Sequence, residues 1–498
     1  MAKVPDETHF AGLKFCKQSD IPLYMQVYNQ FREMILSKRL RVGDRLPATR
    51  ALAHLMNISR TSVTLGFEQL ILEGYLTGKT GSGTYVADII PDELLIAERA
   101  HRFDTTFLKK EDETGAEKTP TLAISADLLD KEDIIPFVSG TPALDQFPYK
   151  KWSEVGGQVL KKMKYYHTGY DSPLGYWTLR QQIASYLRIT RAVNCEPEQV
   201  IIVSGSQQGL NLIIDTFLTE GDAACLEDPG YIVARSLFLR KKIKLIPVPV
   251  EKDGLNINYL IEHGNGAKLG FITPSHQYPL GVTLSLAKRL QLLEAISHLD
   301  MWILEDDYDS EFRYDGKPLA SLQGLDKHGK VIYTGTFSKV MFPGLRLAYI
   351  VLPSVALVNQ LCKVKAILDR QSPIMDQLIL SQFIEEGHFI KHVRKMRLLY
   401  SERQKILVQL MSERLGGLIE TPSDPAGMNL IGWLSPAINI FKLREEIQKA
   451  NLNIAFIEDY TIQHKAAAGI KLGYTALSKY KLKLGVDMLV KCVEKSII

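Results

Sequence analysis

The chain of 498 residues has few cysteines and no long apolar run. Its five cysteines, Cys16, Cys195, Cys225, Cys362 and Cys492, are scattered in a way that suits neither a disulfide framework nor a metal site. No stretch approaches the ~18 consecutive apolar residues that a membrane-spanning helix needs. The first ten residues, MAKVPDETHF, lack the apolar core of a signal peptide. We therefore expect a cytoplasmic protein with no metal ion and no membrane segment.

The chain also has little excess charge of either sign. Sixty basic residues against 56 acidic ones leave a formal charge of +4, which by itself indicates no partner. Between Lys38 and Arg60, however, six basic residues accompany a single acid, Asp44. A local basic cluster can mark a surface that binds nucleic acid. Charge alone nevertheless favours the simpler interpretation of a solvated, mixed surface.

The sequence pattern separates three regions. Residues 1–88 are dense in short helical patterns, and residues 89–133 form a mostly polar linker. From residue 134 to residue 498, short apolar strands alternate with amphipathic helices, such as the one predicted over residues 286–299. This alternation is typical of an α/β domain with a mostly parallel sheet covered on both faces. From about residue 375 helical patterns dominate, and LNIAFI and IKLGYT suggest a late pair of strands. This combination predicts a smaller C-terminal α+β subdomain.

The first region has the pattern of a winged helix-turn-helix. Apolar residues recur every four positions over residues 22–38 and predict a helix. Leu52 and Leu55 are expected to face the core from a second helix. Ser59 is a suitable N-cap for a third helix that ends near Gly74. Two short strands around Gly-Ser-Gly then predict a β-wing.

In such a module the third helix enters the major groove of DNA with its N-terminus first. Arg60, Thr61 and Thr64 would then face base edges and phosphates, and Arg45 and Arg50 would meet the DNA backbone. The segments RVGDRLPATRALA, SRTSVTLGFEQLILEGYL and GSGTYV resemble the DNA-binding domain of the GntR superfamily over about 65 residues. The resemblance implies DNA contacts by Arg45, Arg50, Arg60, Thr61 and Gly81. The alternative is a winged helix used for protein contacts.

Two segments of the large domain suit the ends of a phosphorylated ring. In SGSQQG, at residues 204–209, a strand ends and a helix begins, so the N–H groups near Gly205, Ser206 and Gln207 could hold a phosphate. Many strand-to-helix turns carry such residues only as caps. In EDDYD, Asp306 and Tyr308 are two apart and point the same way in an extended chain. A carboxylate can keep a pyridine nitrogen protonated, although strand ends often carry acids that are merely solvated.

Two further segments supply an amine and more phosphate ligands. In TGTFSKVMFPGLR, Lys339 follows a predicted strand in a mostly uncharged neighbourhood, where a desolvated lysine can form an imine. Thr336, Ser338 and Arg346 could bind a phosphate. Tyr170, before a glycine-rich turn, could reach one as well. Taken singly, a surface lysine and a core tyrosine are the commoner interpretations.

Together these residues make a site for pyridoxal 5′-phosphate. The segments SGSQQGL, EDPGY, TPSHQYPLG, EDDYDSEFRY and TFSKVMFPGLRLAY resemble the fold-type I aminotransferases, over roughly residues 135–495. The resemblance implies that Lys339 carries the cofactor as an imine, that Asp306 meets the ring nitrogen and that Tyr308 bonds the ring oxygen. Tyr231 would stack on the ring, unless it is a core tyrosine. Phosphate contacts are implied for Ser206, Gln207, Thr336, Ser338 and Arg346, with Tyr170 reaching the phosphate of a neighbouring subunit.

Two departures from the aminotransferase pattern stand out. The chain has Tyr278-Pro279-Leu280-Gly281 where those enzymes have Asn-Pro-Thr-Gly, so His276 or Gln277 would have to replace the usual asparagine contact to the ring oxygen. Near the C-terminus, Lys471 stands where relatives carry an arginine that clamps a substrate carboxylate. Lysine lacks the planar fork of arginine. Effector binding by Lys471 and a plain strand-end lysine are equally open at this point.

A winged helix joined to an aminotransferase-like domain resembles the MocR subfamily of GntR-type regulators. The resemblance implies a bacterial transcription factor that binds an operator in double-stranded DNA, usually as a head-to-tail homodimer. It also implies that bound pyridoxal 5′-phosphate senses an amine, an amino acid or a B6 vitamer. The alternative is an active aminotransferase that carries a DNA-binding head, so the sequence leaves open whether the protein is an enzyme.

Overall fold

The computed structural model describes residues 21–79, 83–87, 136–315 and 320–498, together with Phe10, Leu13, Phe15, Cys16 and Ser19. The predicted linker, residues 89–133, lies outside the described residues, and so does Gly81. The chain divides into two compact units, residues 1–116 and residues 117–498. None of the helices in the described ranges has the length and apolar character needed to cross a membrane.

The first unit has the element order of a winged helix-turn-helix. Helix α1 buries Val27 and Phe31 against α3, and the two helices approach closely at Gly66. A Cβ atom at Gly66 would lie 2.9 Å from the carbonyl oxygen of Tyr24 on α1, so a side chain there would separate the helices. The elements are α1 (Leu23–Leu36), α2 (Thr49–Leu55), α3 (Arg60–Leu72) and the antiparallel strands β1 (Leu76–Lys79) and β2 (Gly83–Val86).

One expectation for α2 is wrong. Leu52 is buried, but Leu55 is 43% exposed, and Ala53 and Met56 are buried beside Leu52 instead. Helix α2 is only seven residues long, so its buried face is set by the tight turn that follows it as much as by helical spacing.

The second unit contains an eight-stranded sheet with the order β3-β10-β9-β8-β7-β4-β5-β6. Strands β5, β4, β7, β8 and β9 are parallel, whereas β10 is antiparallel to both β9 and β3. The strands are β3 (Val200–Val203), β4 (Ala223–Asp228), β5 (Lys244–Glu251), β6 (Gly254–Leu255), β7 (Ala267–Ile272), β8 (Trp302–Asp307), β9 (Val331–Thr336) and β10 (Ala348–Val351).

This sheet is buried on both faces, as predicted for an α/β domain. All four residues of β3 are buried, and they alternate between two different hydrophobic clusters, Val200 and Ile202 in one and Ile201 and Val203 in the other. The helices are α4 (Tyr149–Lys162), α5 (Trp177–Arg191), α6 (Ser206–Phe217), α7 (Ile232–Arg240), α8 (Ile257–His263), α9 (Leu286–Leu299), α10 (Leu322–Leu325), α11 (Val355–Leu368), α12 (Ile374–Glu385), α13 (His388–Leu415), α14 (Ile440–Lys449) and α15 (Lys479–Glu494).

A second, four-stranded sheet follows the long helix α13. Its order is β11-β12-β14-β13, and all of its pairs are antiparallel. The pair predicted near the C-terminus is present as β13 and β14, while β11 and β12 had not been expected. The strands are β11 (Ile419–Glu420), β12 (Asn429–Leu434), β13 (Ala455–Phe456) and β14 (Gly469–Gly473).

Candidate functional site

A cavity of about 550 Å³ opens at the carboxyl edge of the large sheet, where the chain leaves β3, β4, β7, β8 and β9. Ligands of open α/β sheets bind at this edge. The cavity collects six of the predicted cofactor residues. Its lining comprises Ser139, Gly140, Ser206, Tyr231, Thr273, Tyr278, Asp306, Tyr308, Thr336, Lys339 and Asn429.

Lys339 presents its amine to this cavity three residues after the end of β9. Its Nζ donates a hydrogen bond to the carbonyl oxygen of Gly140 at 2.8 Å. Burial lowers the pKa of Lys339, and although the carboxyl groups of Asp309 and Asp306 act the other way, they do not cancel this effect. A lysine whose proton is easily lost is the form that attacks an aldehyde.

The adjacent acidic residues Asp306 and Asp307, at the end of β8, lie on opposite sides of the sheet. Asp306 and Tyr308 line the cavity, as their spacing predicted, whereas Asp307 lies 2.7 Å from the Nε atom of Arg191 in a buried ion pair. Burial raises the pKa of Asp306 to about 7, and the hydroxyl of Thr334 lies 3.3 Å from its Oδ1. The cavity therefore places one acid and one phenol opposite the amine of Lys339.

The turn from β3 into α6 forms the other end of the site. Gly205, the N-cap of α6, has a φ of +101°, and a Cβ atom there would lie 2.6 Å from Nη2 of Arg346. The guanidinium of Arg346 reaches the carbonyl oxygen of Ser204 at 3.4 Å. Free N–H groups at a helix N-terminus and an adjacent arginine suit a phosphate.

One buried atom tests whether these residues fit a phosphorylated cofactor. The Oγ atom of Ser338 is buried and has no hydrogen-bond partner, although buried polar atoms are almost always paired. The backbone N–H of Ser338 bonds the hydroxyl of Thr336 at 3.2 Å, in the turn that leads from β9 to Lys339. An unpartnered hydroxyl next to the lysine in the chain, two residues after Thr336 of the cavity lining, fits the phosphate of pyridoxal 5′-phosphate.

Tyr231 lies between this end and the centre of the cavity. Its ring is stacked with Phe271 at 6.2 Å and meets Tyr278 edge-on at 5.4 Å. The side chain of Gln207 hydrogen-bonds Tyr231, and both residues line a smaller adjoining cavity of about 270 Å³. The expected stacking of Tyr231 on a bound ring stays a prediction, but its position beside the cavity is suitable.

Tyr170 does not belong to the cavity formed by its own chain. It is 80% exposed, and the guanidinium of Arg370 lies 3.9 Å from the centre of its ring. The backbone N–H of the next residue, Asp171, bonds the side chain of Gln371. Within the chain, Tyr170 thus faces solvent on a surface shared with residues 370–371.

Lys471 is a central residue of β14 rather than a strand-end residue, and it is only 1% exposed. Its Nζ lies 4.2 Å from the ring centre of Tyr278 and 4.5 Å from that of Tyr460, and it hydrogen-bonds the Tyr278 hydroxyl. Burial holds the pKa of Lys471 well below its usual value, and the charge of Lys339 lowers it further. The interpretation as a plain strand-end lysine is therefore wrong, whereas a role in effector binding stays a prediction.

Of the two residues proposed to replace the missing asparagine, His276 approaches the ring-oxygen end of the site. Its Nδ1 lies 3.1 Å from the hydroxyl of Tyr308. Gln277 turns away, because its Nε2 donates to the backbone oxygens of Pro229 and Tyr278.

The sequence did not predict several of the residues that line the cavity. Ser139 and Gly140 come from the start of the second unit, and Asn429 comes from β12, where its Oδ1 accepts the N–H of Gly140 at 3.0 Å. They carry no local motif, and only the folded chain brings them to Lys339. The sequence shows Tyr278 as a departure from a motif, but it gives no indication that this residue lines the cavity.

The predicted DNA-binding side chains lie on the surface of the first unit. Arg45, Arg50, Arg60 and Thr61 are exposed, and Thr64 is half-buried. Ser59 caps α3 as predicted, since its hydroxyl accepts the N–H of Ser62 at 3.1 Å.

Arg45 has a second neighbour that the sequence did not reveal. It forms a β-bridge with Tyr85, and a Cβ atom at Gly83 would lie 3.0 Å from its Nε atom. Arg45 therefore lies against the wing strand β2.

Comparison with known proteins gives two family matches. Residues 23–86 match the bacterial regulatory proteins of the gntR family, and residues 132–463 match aminotransferase class I and II. The chain is 35% identical to the probable rhizopine catabolism regulatory protein MocR of Rhizobium meliloti over 476 residues, which cover 95% of this chain and 94% of that one.

The chain belongs to the MocR-type transcriptional regulators of the GntR family. Another member, the pyridoxine biosynthesis regulator PdxR of Corynebacterium glutamicum, is 30% identical over 80% of each chain. Among solved structures, a kynurenine aminotransferase of Pyrococcus horikoshii superposes with a TM-score of 0.68 at 25% identity, covering 80% of this chain and 98% of that one. The predicted fold, a winged helix-turn-helix with a fold-type I transferase domain, is confirmed, and a regulator is favoured over an enzyme that merely carries a DNA-binding head.

Proposed function

We propose that this MocR-type regulator holds pyridoxal 5′-phosphate on Lys339 and that an amine, an amino acid or a B6 vitamer entering the same cavity alters DNA binding. The observation that carries the proposal is the amine of Lys339, which lies in a cavity together with Asp306 and Tyr308. When bound, the cofactor supplies an aldehyde carbon that exchanges one amine for another.

Each part of the cavity has a task in this proposal. Lys339 attaches the cofactor, the carboxyl group of Asp306 holds the proton of the ring nitrogen, and Tyr308 donates to the ring oxygen. Burial favours the uncharged lysine that attachment needs. The phosphate would be held by the N-terminus of α6 at Gly205, and by Ser206, Gln207, Thr336, Ser338 and Arg346.

A homodimer supplies the remaining contact. Tyr170 contacts Arg370, and three large side chains within five residues of one or the other in the sequence, Tyr165, Ile367 and Leu368, are exposed by 88%, 86% and 55% respectively. Large exposed side chains are typical of an interface. In a head-to-tail dimer, Tyr170 of one subunit would reach the phosphate held by the other.

The first unit binds the operator. Arg60, Thr61 and Thr64 at the start of α3 would face the major groove, while Arg45, Arg50 and the wing residue Gly81 would contact the backbone. The effector must bind the two arrangements of the dimer with different affinities for the signal to reach these heads. We assign this action to the cytoplasm, where bacterial DNA lies.

Absorbance and DNA affinity of the same purified protein test the proposal. We expect visible absorbance from bound pyridoxal 5′-phosphate, a change in that absorbance when an effector amine is added, and a parallel change in affinity for a duplex selected from random DNA. The variant Lys339→Ala should lose both effects. Lys151→Ala, a surface lysine on α4 that pairs with Glu154, is the matched control. A colourless protein after incubation with the cofactor would overturn the proposal.

A second candidate function, full transamination, is favoured by the aminotransferase fold but opposed by Lys471. Lysine replaces the arginine expected to clamp a substrate carboxylate, and its amine is already covered by Tyr278 and Tyr460. Steady turnover of an amino acid with a keto acid would favour the enzyme. A spectral change that stops after one half-reaction would favour the sensor.

A further inference from the structure

His276 belongs to a buried cluster for which the proposed function gives no role. It lies in the loop after β7 and is 5% exposed. Its Nδ1 is 2.9 Å from Oδ2 of Asp309 and 3.1 Å from the hydroxyl of Tyr308, and its Nε2 is 3.2 Å from Oδ2 of Asp424. Each ring nitrogen thus has its own carboxylate.

The imidazole ring is held tightly between two glycines. A Cβ atom at Gly427, where φ is +93°, would lie 2.0 Å from Cε1 of His276, and one at Gly281 would lie 3.2 Å from Nε2. Asp424 is fixed in turn, since its Oδ1 accepts the N–H of Ala426 at 3.0 Å. Asp424 and Gly427 belong to the loop between β11 and β12, so His276 connects the eight-stranded sheet to the four-stranded sheet.

When Asp309 and Asp424 are both ionised, the hydrogen-bond pattern requires both ring nitrogens to carry a proton, since a carboxylate can only accept. Burial alone would favour neutral His276, but the carboxyl groups of Asp309 and Asp424 outweigh burial and raise its pKa well above the usual value. Of the groups near the ring, Tyr308 is the remaining titratable one in direct contact.

This arrangement sets the direction of the Tyr308 hydrogen bond. When Nδ1 of His276 carries a proton, the Tyr308 oxygen accepts it and its own O–H stays available to the cavity. A neutral imidazole with a bare Nδ1 would instead draw the phenolic proton away from the cavity. The proton on Nδ1 of His276, which lies within reach of both Asp309 and Tyr308, thus decides whether Tyr308 can donate to a ring oxygen in the site.

We propose that His276 is a positioning residue that keeps Tyr308 a donor toward the cofactor and couples this donor, through Asp424, to the loop of the four-stranded sheet. The inference rests on the proposed function, because it needs the cofactor in the cavity. It adds a route by which displacement of the four-stranded sheet alters the cofactor without touching it.

The full-length protein loaded with pyridoxal 5′-phosphate provides the test. Its visible absorbance changes with the protonation of the nitrogen that joins the cofactor to its lysine, so the pH midpoint of that change reports the surrounding charge. In His276→Gln a positive charge and the donor of Tyr308 are both lost, and the midpoint should rise by at least about 0.5 pH unit, or threefold in proton affinity. The control is His298→Gln, an exposed histidine on α9, which should leave the midpoint unchanged.

A second variant, Asp424→Asn, removes a negative charge while Asp309 still pairs with the imidazolium of His276. The pH midpoint of the absorbance change should therefore fall in this variant. Asp487→Asn, a surface aspartate that pairs with Arg414, is the matched control. An unchanged midpoint in His276→Gln, or an unchanged or raised midpoint in Asp424→Asn, would overturn the inference.

A further measurement does not use His276→Gln and covers the case in which that variant does not fold. With ¹⁵N-labelled histidine, one residue of the wild-type protein should keep both ring nitrogens protonated at pH 8, and this signal should be lost in Asp424→Asn before it is lost in Asp487→Asn as the pH rises. Absence of a doubly protonated histidine at pH 8 would refute the inference. A colourless protein would refute the proposed function instead, so the two failures are distinguishable.

Discussion

Asp306 and Asp307 are consecutive residues of β8, yet their carboxyl groups lie on opposite sides of the sheet edge. Asp306 lines the cavity, and Asp307 forms an ion pair with Arg191 at 2.7 Å and also accepts the hydroxyl of Tyr333 at 2.5 Å. Side chains alternate along a strand, so one acid serves the site and the other serves the core. The two positions should respond differently to the same substitution.

We expect Asp307→Asn to destabilise the second unit by about 3–5 kcal/mol, because it leaves the buried guanidinium of Arg191 without its charge partner. Asp306→Asn should cause no such loss. Thermal unfolding of the cofactor-free proteins measures both effects. Equal stability of the two variants would contradict the separation of roles.

The difference in stability between Asp306→Asn and the wild type should also depend on pH. Burial raises the pKa of Asp306 to about 7 from 3.8, so between these values the folded protein holds a proton that the unfolded chain has lost. Folded-state stability therefore falls as the pH rises from about 4 to 7, and the penalty is complete above 7. Without the cofactor, Asp306→Asn should be more stable than the wild type at pH 8 and equal to it at pH 4, while its affinity for pyridoxal 5′-phosphate falls.

Lys471→Met should stabilise the protein at neutral pH. The pKa of Lys471 is far below its value in the unfolded chain, so the buried amine disfavours folding at every pH below about 10.5. Methionine fills a similar volume without this cost, and the gain should shrink as the pH approaches 10.5. Denaturant unfolding at pH 7 and pH 10 checks this. Lys471→Arg, which cannot lose its proton, should be destabilised at both values.

Gly205→Ala should damage the phosphate end of the site. The backbone there has a φ of +101°, and the new Cβ atom would displace the guanidinium of Arg346, so we expect a loss of about 1–2 kcal/mol and weaker cofactor binding. Gly157→Ala on α4 is the control, since a Cβ atom there meets nothing within 4 Å and should stabilise the helix. Cofactor titrations that do not distinguish the two variants would contradict this assignment.

In the first unit, two adjacent residues should separate stability from DNA binding. Ser59→Ala removes the N-cap of α3 and should lower the stability of this unit by about 1 kcal/mol. Arg60→Ala should leave stability unchanged, weaken binding to the selected duplex and reduce the salt dependence of binding by about one phosphate contact. Arg188→Ala, a surface arginine of the second unit, is the control for binding. Undiminished DNA affinity in Arg60→Ala would be incompatible with α3 as the recognition helix.

The sequence predicted the parts of the structure that local patterns determine. The apolar run ending in EDD became β8 at Trp302–Asp307, and the amphipathic pattern of residues 286–299 became α9. The three-residue spacing of Leu52 and Leu55 failed to predict that Leu55 is exposed, because helix α2 is too short for periodicity to decide the buried face.

Contacts between distant segments could not be predicted in this way. The bond from Lys339 to Gly140 joins residues 199 apart, and that from Gly140 to Asn429 joins residues 289 apart. The two carboxylates around His276 likewise come from separate sheets. A histidine in TPSHQYPLG is visible in the sequence, but its charge depends on neighbours that only the tertiary structure supplies.

The burial of the Lys471 amine against the rings of Tyr278 and Tyr460 has one more consequence. The amine sits on the four-stranded sheet, whereas the phenol it bonds, Tyr278, sits on the loop that leaves β7 of the larger sheet. Because burial holds the pKa of Lys471 well below its usual value only while the two sheets stay together, the amine gains affinity for a proton when they separate. Any ligand that pushes them apart would draw a proton from solvent, and buffers with different ionisation enthalpies would register that uptake as different heats of binding.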